Sequence, residues 1–149
     1  MYNTIVVGTD GSATAGQAVR QAGALAVALG AKLHVVHAFQ TLSAMTSIGP
    51  DGGAAAASIG LSEAVEAQAK AILDRAVEDA KALGVEVEAH LSPGDAANAL
   101  IETAERVDAD LLVIGNKGMS GVRRFVLGSV PNKVSHHCPC SLLIVNTTG

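Results

Sequence analysis

Five short apolar runs punctuate the chain, and between them the apolar residues return at helical intervals. Thr4 to Gly8 (TIVVG), Lys32 to Phe39 (KLHVVHAF), Leu111 to Ile114 and Ser141 to Val145 (SLLIV) read as strands, dense enough in β-branched and aliphatic residues for a sheet covered on both faces. Val85 to Leu91 (VEVEAHL) alternates apolar and polar residues, which predicts a strand exposed on one face at a sheet edge. The first helical stretch repeats Ala18, Ala22, Leu25, Ala26 and Leu29 and closes at Gly30, a natural C′ glycine. Ser62 is placed to cap a second, running to Leu83 with Val65, Ala69, Ile72, Leu73, Ala76, Ala80 and Leu83 inward, and Gly84 ends it. Ser92-Pro93-Gly94-Asp95 turns the chain into a third, with Leu100, Ile101, Ala104 and Val107 inward, and Val130 to His137 forms a fourth. Strand and helix alternate throughout. The pattern predicts an α/β fold: one doubly wound domain over residues 1–149, with a five-stranded parallel sheet, right-handed crossovers and helices on both faces.

Residues 40–61 break the pattern. They hold five Ser or Thr, five Ala, four Gly and Pro50, with Asp51 their one charge, and read as a flexible loop in which Met45 and Ile48 could close over a ligand. In open α/β sheets ligands sit at the carboxyl ends of strands where strand order reverses. Strands one and four are expected to flank that point. Their ends are Thr9-Asp10-Gly11 and Gly115-Asn116-Lys117-Gly118, two polar, glycine-bearing turns facing one crevice.

The second turn opens the most informative stretch of the chain. From Leu111–Ile114 the glycines run Gly115, Gly118, Gly121 and Gly128, the last followed by Ser129 and a helix. A strand feeding a glycine-rich loop into a helix N-terminus suits a phosphate, because glycines let backbone N–H groups approach and the first helical turn has unpaired donors. Ser129 supplies a hydroxyl or a helix cap. The loop is neither a Walker A motif, which needs Lys-Ser or Lys-Thr after its last glycine, nor a dinucleotide fingerprint, which needs the middle glycine of G-x-G-x-x-G. Charge strengthens the reading: residues 1–110 hold six basic and fourteen acidic residues, whereas residues 111–149 hold Lys117, Arg123, Arg124 and Lys133 and no acid. A local cationic field on a chain of net charge −4 fits an anion site.

Composition removes other classes. One Tyr, two Phe and no Trp leave no platform for stacking single-stranded nucleic acid, and the net negative charge opposes duplex binding. No apolar run approaches the roughly 18 residues of a membrane span. Met1-Tyr2-Asn3-Thr4 enters a strand without a basic or apolar leader, so a cytoplasmic location is expected. Cys138 and Cys140 flank Pro139, too close for an ordinary disulfide in a strand and consistent with a reducing compartment. His136, His137, Cys138 and Cys140 crowd five residues, but adjacent histidines diverge on a helix, and no metal site is assigned. His34 and His37 read as packed strand residues, His90 as exposed.

TIVVGTDGS, the histidine-bearing second strand ending in His37-Ala38, and GNKGMSGVRRFVLGSVPNKVSHHCPCSLLIV together resemble the universal stress protein family over essentially the full length. Gly115, Gly118, Gly128 and Ser129 match that family's nucleotide-binding signature, G-2x-G-9x-G-[ST], without a gap. The resemblance implies a Rossmann-like fold of the adenine nucleotide alpha hydrolase type and an adenine-nucleotide site. By position, Asp10 would meet the adenosine, with Thr9 and Gly11 lining its turn; the main chain of Ala38 would meet the adenine edge. Gly115 and Gly118 would wrap ribose and phosphates, and Gly128, Ser129 and Val130 would donate to the phosphates. Lys117 and Arg124 are placed to add charge there. Pro131 removes one donor from the helix start while fitting the geometry of a first turn. The implied ligand is ATP, with Mg or Mn carried on its phosphates, and the implied assembly is a homodimer through strand 141–147.

Three functions follow. The chain is expected to be an ATP-binding regulatory or stress-response module; a cyclic AMP-binding protein is the first alternative, and a weak ATPase or nucleotidyl transferase the second. Catalysis needs a placed base or nucleophile. Asp10 is the single acid that the sequence puts at the crevice, and GTDGSAT stands where related adenine-dependent enzymes carry a pyrophosphate loop of the SGGxDS kind.

Overall fold

The computed structural model describes residues 1–41, 52–116 and 127–147, with no side-chain description for residues 52–59. Among the described residues nine elements alternate: β1 (Thr4–Gly8), α1 (Ala13–Leu29), β2 (Lys32–Phe39), α2 (Gly52–Lys81), β3 (Val87–Pro93), α3 (Ala96–Arg106), β4 (Leu111–Gly115), α4 (Ser129–His137) and β5 (Ser141–Val145). All strand pairs are parallel, in the order β3-β2-β1-β4-β5. The chain therefore winds outward from β1 to β3, returns to β4 on the other side of β1, and reverses direction between β1 and β4, as expected. β3 lies at an edge.

Alternate residues of the central strands feed two cores. Ile5, Val7, Leu33, Val35 and Val113 pack against Ala18, Val19, Ala22 and Ala26 of α1 and Leu73, Ala76, Val77 and Ala80 of α2. Val6, Val36, Leu112 and Ile114 pack against Ala97, Leu100 and Ala104 of α3 and Val134 of α4. The small alanines bring the helices close to the sheet, where aliphatic strand residues fill the space at interior density. At the amino end of the sheet, Asp110 Oδ2 accepts from the backbone N–H groups of Asn3 (2.7 Å) and Thr4 (2.9 Å), tying the start of β1 to the start of β4.

Several expectations are corrected. The helix expected from Ser62 begins at Gly52, so only the first part of 40–61 can be a loop, and residues 42–51, with Met45 and Ile48, lie outside the described residues. Ala54 to Ala57, strong helix formers, extend the helix backward from its packed portion, and Ser62 sits inside it rather than at its cap. Leu29 and Leu83 are each 41% exposed, the first at the last residue of α1 and the second beyond the end of α2, whereas Val77 is buried. β3 starts at Val87, two residues late, and runs on through Ser92 and Pro93. No helix among the described residues is long and apolar enough to cross a membrane.

Candidate functional site

A cleft of about 380 Å³ opens at the carboxyl ends of β1 and β4. Its walls come from six elements or their ends: Gly8, Thr9 and Asp10 after β1, Ala15 of α1, Val36 and Ala38 of β2, Ala96 and Leu100 of α3, Ile114 and Gly115 of β4, and Gly128, Ser129, Val130 and Pro131 at the start of α4. The size suits a ligand of a few tens of atoms. Val36, Leu100, Ile114 and Ala15 make one part apolar; the turns and the helix start make the rest polar. A Cβ at Gly8 would come within 2.9 Å of Leu100 Cδ2, so the absence of a side chain lets Leu100 close against the end of β1.

The β1 turn is held by its own side chains. Asp10 Oδ1 accepts from Ser12 N–H (2.9 Å) and Ser12 Oγ–H (2.5 Å), and Ser12 Oγ in turn accepts from Ala15 N–H (3.1 Å) as the N-cap of α1. The Thr9 N–H donates to Val36 O (2.9 Å), and Thr9 O lies 2.8 Å from His37 Nδ1, which fits an Nδ1–H donor. Buried His37 therefore fixes the carbonyl direction of the turn, a role that reading it as a packed strand residue did not reveal. Gly11, expected to line the turn by its backbone, is not among the residues that wall the cleft. Its φ of +82° needs glycine, and a Cβ there would meet Ile72 Cγ2 of α2 at 2.9 Å.

The β4 side is organised by Asn116, a residue that glycine spacing passes over. Its carbonyl accepts from Gly128 N–H (3.2 Å), closing the glycine-rich loop at its two ends. Its side-chain Oδ1 accepts from Thr147 N–H (3.0 Å) and Thr147 Oγ–H (2.7 Å), fastening the segment after β5 to the site. Two corrections follow. The Gly128 N–H, assigned to phosphate, is engaged by Asn116, and Gly128 itself is the N-cap of α4, with no side-chain hydrogen bond, so Ser129 does not cap the helix. Ser129 is instead the exposed first residue of the helix, and the N–H groups of Ser129 and Val130 stand in the first turn, where no intrahelical acceptor exists. Pro131 is buried at the third position.

Of the sequence-predicted residues, Thr9, Asp10, Ala38, Gly115, Gly128, Ser129 and Val130 line one cleft. Lys117, Gly118 and Arg124 lie outside the described residues. Lys133 does not stand as a bare cation: its Nζ is 3.1 Å from Asp95 Oδ2. Asp95 caps α3 by accepting from Asn98 N–H (3.0 Å), and that bond, then Lys133, holds its carboxyl below the usual range.

Cys138 and Cys140 are free, with sulfurs 3.9 Å apart, and burial beside Cys138 pushes the Cys140 thiol up to about 12, so it stays protonated at neutral pH. The rings of His136 and His137 diverge by 60°. Among the described residues the group of three His, Cys, Asp or Glu side chains whose ligand atoms converge is a different one, His34, Glu88 and His90 at the β2–β3 edge. His90, expected to be exposed, is mostly covered, its side chain 12% accessible against Glu88 at 48%, because it stacks at 5.1 Å on buried His34.

The universal stress protein family model matches residues 1–146. Universal stress protein Rv1636 of Mycobacterium tuberculosis is 36% identical over 99% of this chain and 98% of its own length. A universal stress protein crystallised in complex with cAMP is 36% identical, with a TM-score of 0.75, covering 99% of this chain and 98% of that one. A second, from Archaeoglobus fulgidus in complex with dAMP, is 27% identical, with a TM-score of 0.70 over 97% and 98% of the two chains. With the sheet order, the cleft and the whole-length match in agreement, this chain belongs to the universal stress protein family.

Proposed function

We propose that the chain binds an adenine nucleotide in the β1–β4 cleft and acts as an ATP-binding regulatory module of the stress response. The observation that carries the reading is the pairing of opposites across one cleft: the Asp10 carboxylate at one side and, at the other, the first turn of α4 with no side-chain cap among the described residues. Asp10 would take a ribose hydroxyl or the adenine amine, the apolar wall of Val36 and Leu100 with the Ala38 main chain would hold the base, and Gly115 would lie along the ribose. Ser129 and Val130 would donate to phosphate, with Lys117, Gly118 and Arg124 contributing from the glycine-rich loop. Magnesium or manganese would arrive on the phosphates of ATP. Solved relatives carrying cAMP and dAMP support the nucleotide class, and the first makes cyclic AMP the second reading.

A binding role is favoured over catalysis. Among the described lining residues Asp10 supplies the carboxylate, and its Oδ1 already accepts twice from Ser12, which suits an acceptor rather than a general base for water at the phosphate end. A cytoplasmic location belongs to this reading.

Calorimetric titration with ATP, ADP, AMP, cyclic AMP and adenosine tests it. Saturable binding is expected, weakened about tenfold or more in Asp10→Asn, since hydrogen bonds to charged groups contribute roughly 1.5–3 kcal/mol. Absence of binding by all five at millimolar concentration sinks the nucleotide reading, and preference for cyclic AMP over ATP replaces the first reading by the second.

The same reading includes a homodimer formed by β5, the edge strand opposite β3, whose Leu142, Leu143 and Ile144 remain half-buried. Edge pairing of such a strand hides its open backbone groups. Light scattering should return twice the chain mass, and Leu143→Glu should return the single mass; a monomeric parent protein excludes the pairing.

A further inference from the structure

His34, Glu88 and His90 are brought together by strand register, and none of the three lines the nucleotide cleft. His34 pairs with Glu88 and Val36 with His90 across β2 and β3, so the three side chains leave the same face of the sheet, at its open edge. His34 Nδ1 is 2.9 Å from His90 Nε2, His90 Nε2 is 3.7 Å from Glu88 Oε1, and the three ligand atoms lie within 4.8 Å of one another. Lys32 Nζ, 2.8 Å from Glu88 Oε2, holds the carboxylate by its other oxygen and leaves Oε1 turned to the imidazoles.

We propose that this triad is a site for a divalent transition-metal ion, zinc in the first place, with His34 Nδ1, His90 Nε2 and Glu88 Oε1 as ligands and water completing a tetrahedron. Two imidazoles and one carboxylate are a nitrogen-rich donor set that suits zinc, nickel or copper and not magnesium or calcium. Zinc–nitrogen bonds of about 2.0–2.1 Å set tetrahedral ligand atoms about 3.3 Å apart. The 2.9 and 3.7 Å separations bracket that value, and the third pair lies within 4.8 Å, so side-chain adjustment brings the three ligand atoms to coordination distance. Burial lowers the proton affinity of His34 and of His90, leaving neutral rings to offer lone pairs.

Three charged groups face the triad. Besides Glu88 itself, Lys32, Arg106 and Glu86 are the groups whose charge acts on His34, and Glu86 stands 3.7 Å from Lys32. Arg106 Nη2 is 3.2 Å from His90 Nδ1, an arrangement that makes Nδ1 the acceptor and leaves the proton of His90 on Nε2, directed at His34. Ligation moves that proton from Nε2 to Nδ1, with no net release, and obliges the guanidinium to leave. Arg106 is the exposed last residue of α3, held otherwise by a 3.5 Å contact with Thr103 Oγ1, and can turn into water. Arg106 therefore competes with the metal, which gives the site a signature that a purely structural histidine pair lacks: removing a cation should tighten binding.

The test is zinc titration of the full chain, stripped with chelator, against a chromophoric indicator, repeated with cobalt for its visible spectrum. One zinc per chain is expected, with cobalt giving tetrahedral bands free of thiolate charge transfer. His90→Ala should abolish the site and Glu88→Gln weaken it at least about tenfold. Arg106→Ala should strengthen it, and a Cys138→Ser/Cys140→Ser double variant should leave it unchanged. Glu88→Gln keeps the fold if His90→Ala does not, since Glu88 is half-exposed and only loses charge. Failure of zinc to bind below about 100 μM, binding that survives both Glu88→Gln and His90→Ala, or loss of binding in the cysteine variant would each overturn the assignment. Nucleotide affinity does not enter the readout.

Discussion

The starts of α1 and α4 are built alike and finished differently. Each follows a buried strand that ends in glycine, at the same rim of the sheet, and each faces the same cleft. At α1 side chains close the start of the helix: Ser12 Oγ accepts from Ala15 N–H, Asp10 accepts from Ser12, and Ser12 Oγ lies 2.9 Å from Thr14 Oγ1. At α4 the capping position is Gly128, which has no side chain to offer, and no side chain among the described residues caps the helix. A helix N-terminus attracts anions only while its donors are unclaimed. The cleft is thereby polarised, with the Asp10 carboxylate beside the start of α1 and no acid among the described lining residues beside the uncapped start of α4, so that a ligand with a hydroxylated or amino-bearing end and an anionic end has one orientation to choose.

The sharpest way to break this asymmetry is to close the open end. Ser129→Asp places a carboxylate at the first position of α4, where it should favour the helix by about 0.3–1 kcal/mol and oppose a bound phosphate. Like-charge contact costs several kcal/mol, so ATP and cyclic AMP affinities should fall about 100-fold, while adenosine affinity and thermal stability hold or rise. Equal losses for adenosine and ATP would mean that phosphate does not sit at α4, and the polarity argument would fail with it.

The sequence was most legible where one physical demand governs one position. Gly30 at φ +66° ends α1 because only a residue without Cβ enters that conformation freely, and apolar runs with helical periods between them admit little besides a doubly wound parallel sheet. The crevice followed from topology plus turn chemistry. What stayed hidden depends on contacts between distant segments. Asn116 reads as a loop residue until Thr147 and Gly128 come to it, and His37 reads as strand filling until Thr9 O is found beside it. Likewise, His34 and His90 are 56 residues apart, and only the β2–β3 register joins them. The backward extension of α2 to Gly52 was misread for a different reason: glycine and serine punctuation outweighed the alanine run, whereas propagation from a packed helix needs only tolerable residues.

A smaller effect separates the two serines. Ser12→Ala removes the α1 cap and should destabilise the protein by about 1 kcal/mol, lowering the midpoint of thermal unfolding by about 2–4 °C. Ser129→Ala removes no cap and should leave the midpoint within about 1 °C, in line with the small cost of ordinary surface substitutions. Calorimetric melting of both variants decides it; equal losses would place a capping hydroxyl at Ser129 and make the helix starts alike after all.

The α3 start supplies a third case and the smallest shift. It is capped by a carboxylate where α1 is capped by a hydroxyl: Asp95 accepts from Asn98 N–H and lies against Lys133, and both hold its folded-state pKa below the usual value. A depressed carboxyl pKa contributes stability that is fully present above the unfolded-state value, about 3.9, and is lost as pH falls through the folded-state value. The deficit of Asp95→Ala relative to the parent protein should therefore be constant from neutrality down to about pH 5 and shrink below about pH 4, whereas the Ser12→Ala deficit has no titrating group to remove and should persist. The side chain is half-exposed, so water screens the pair with Lys133, and the cap bond rather than the ion pair accounts for most of the difference. Melting curves at a series of pH values for both variants, with a Lys133→Ala control, measure it. Parallel deficits down to pH 3 would show that Asp95 holds α3 as an uncharged acceptor, and that the three helix starts differ in which atom closes them but not in charge.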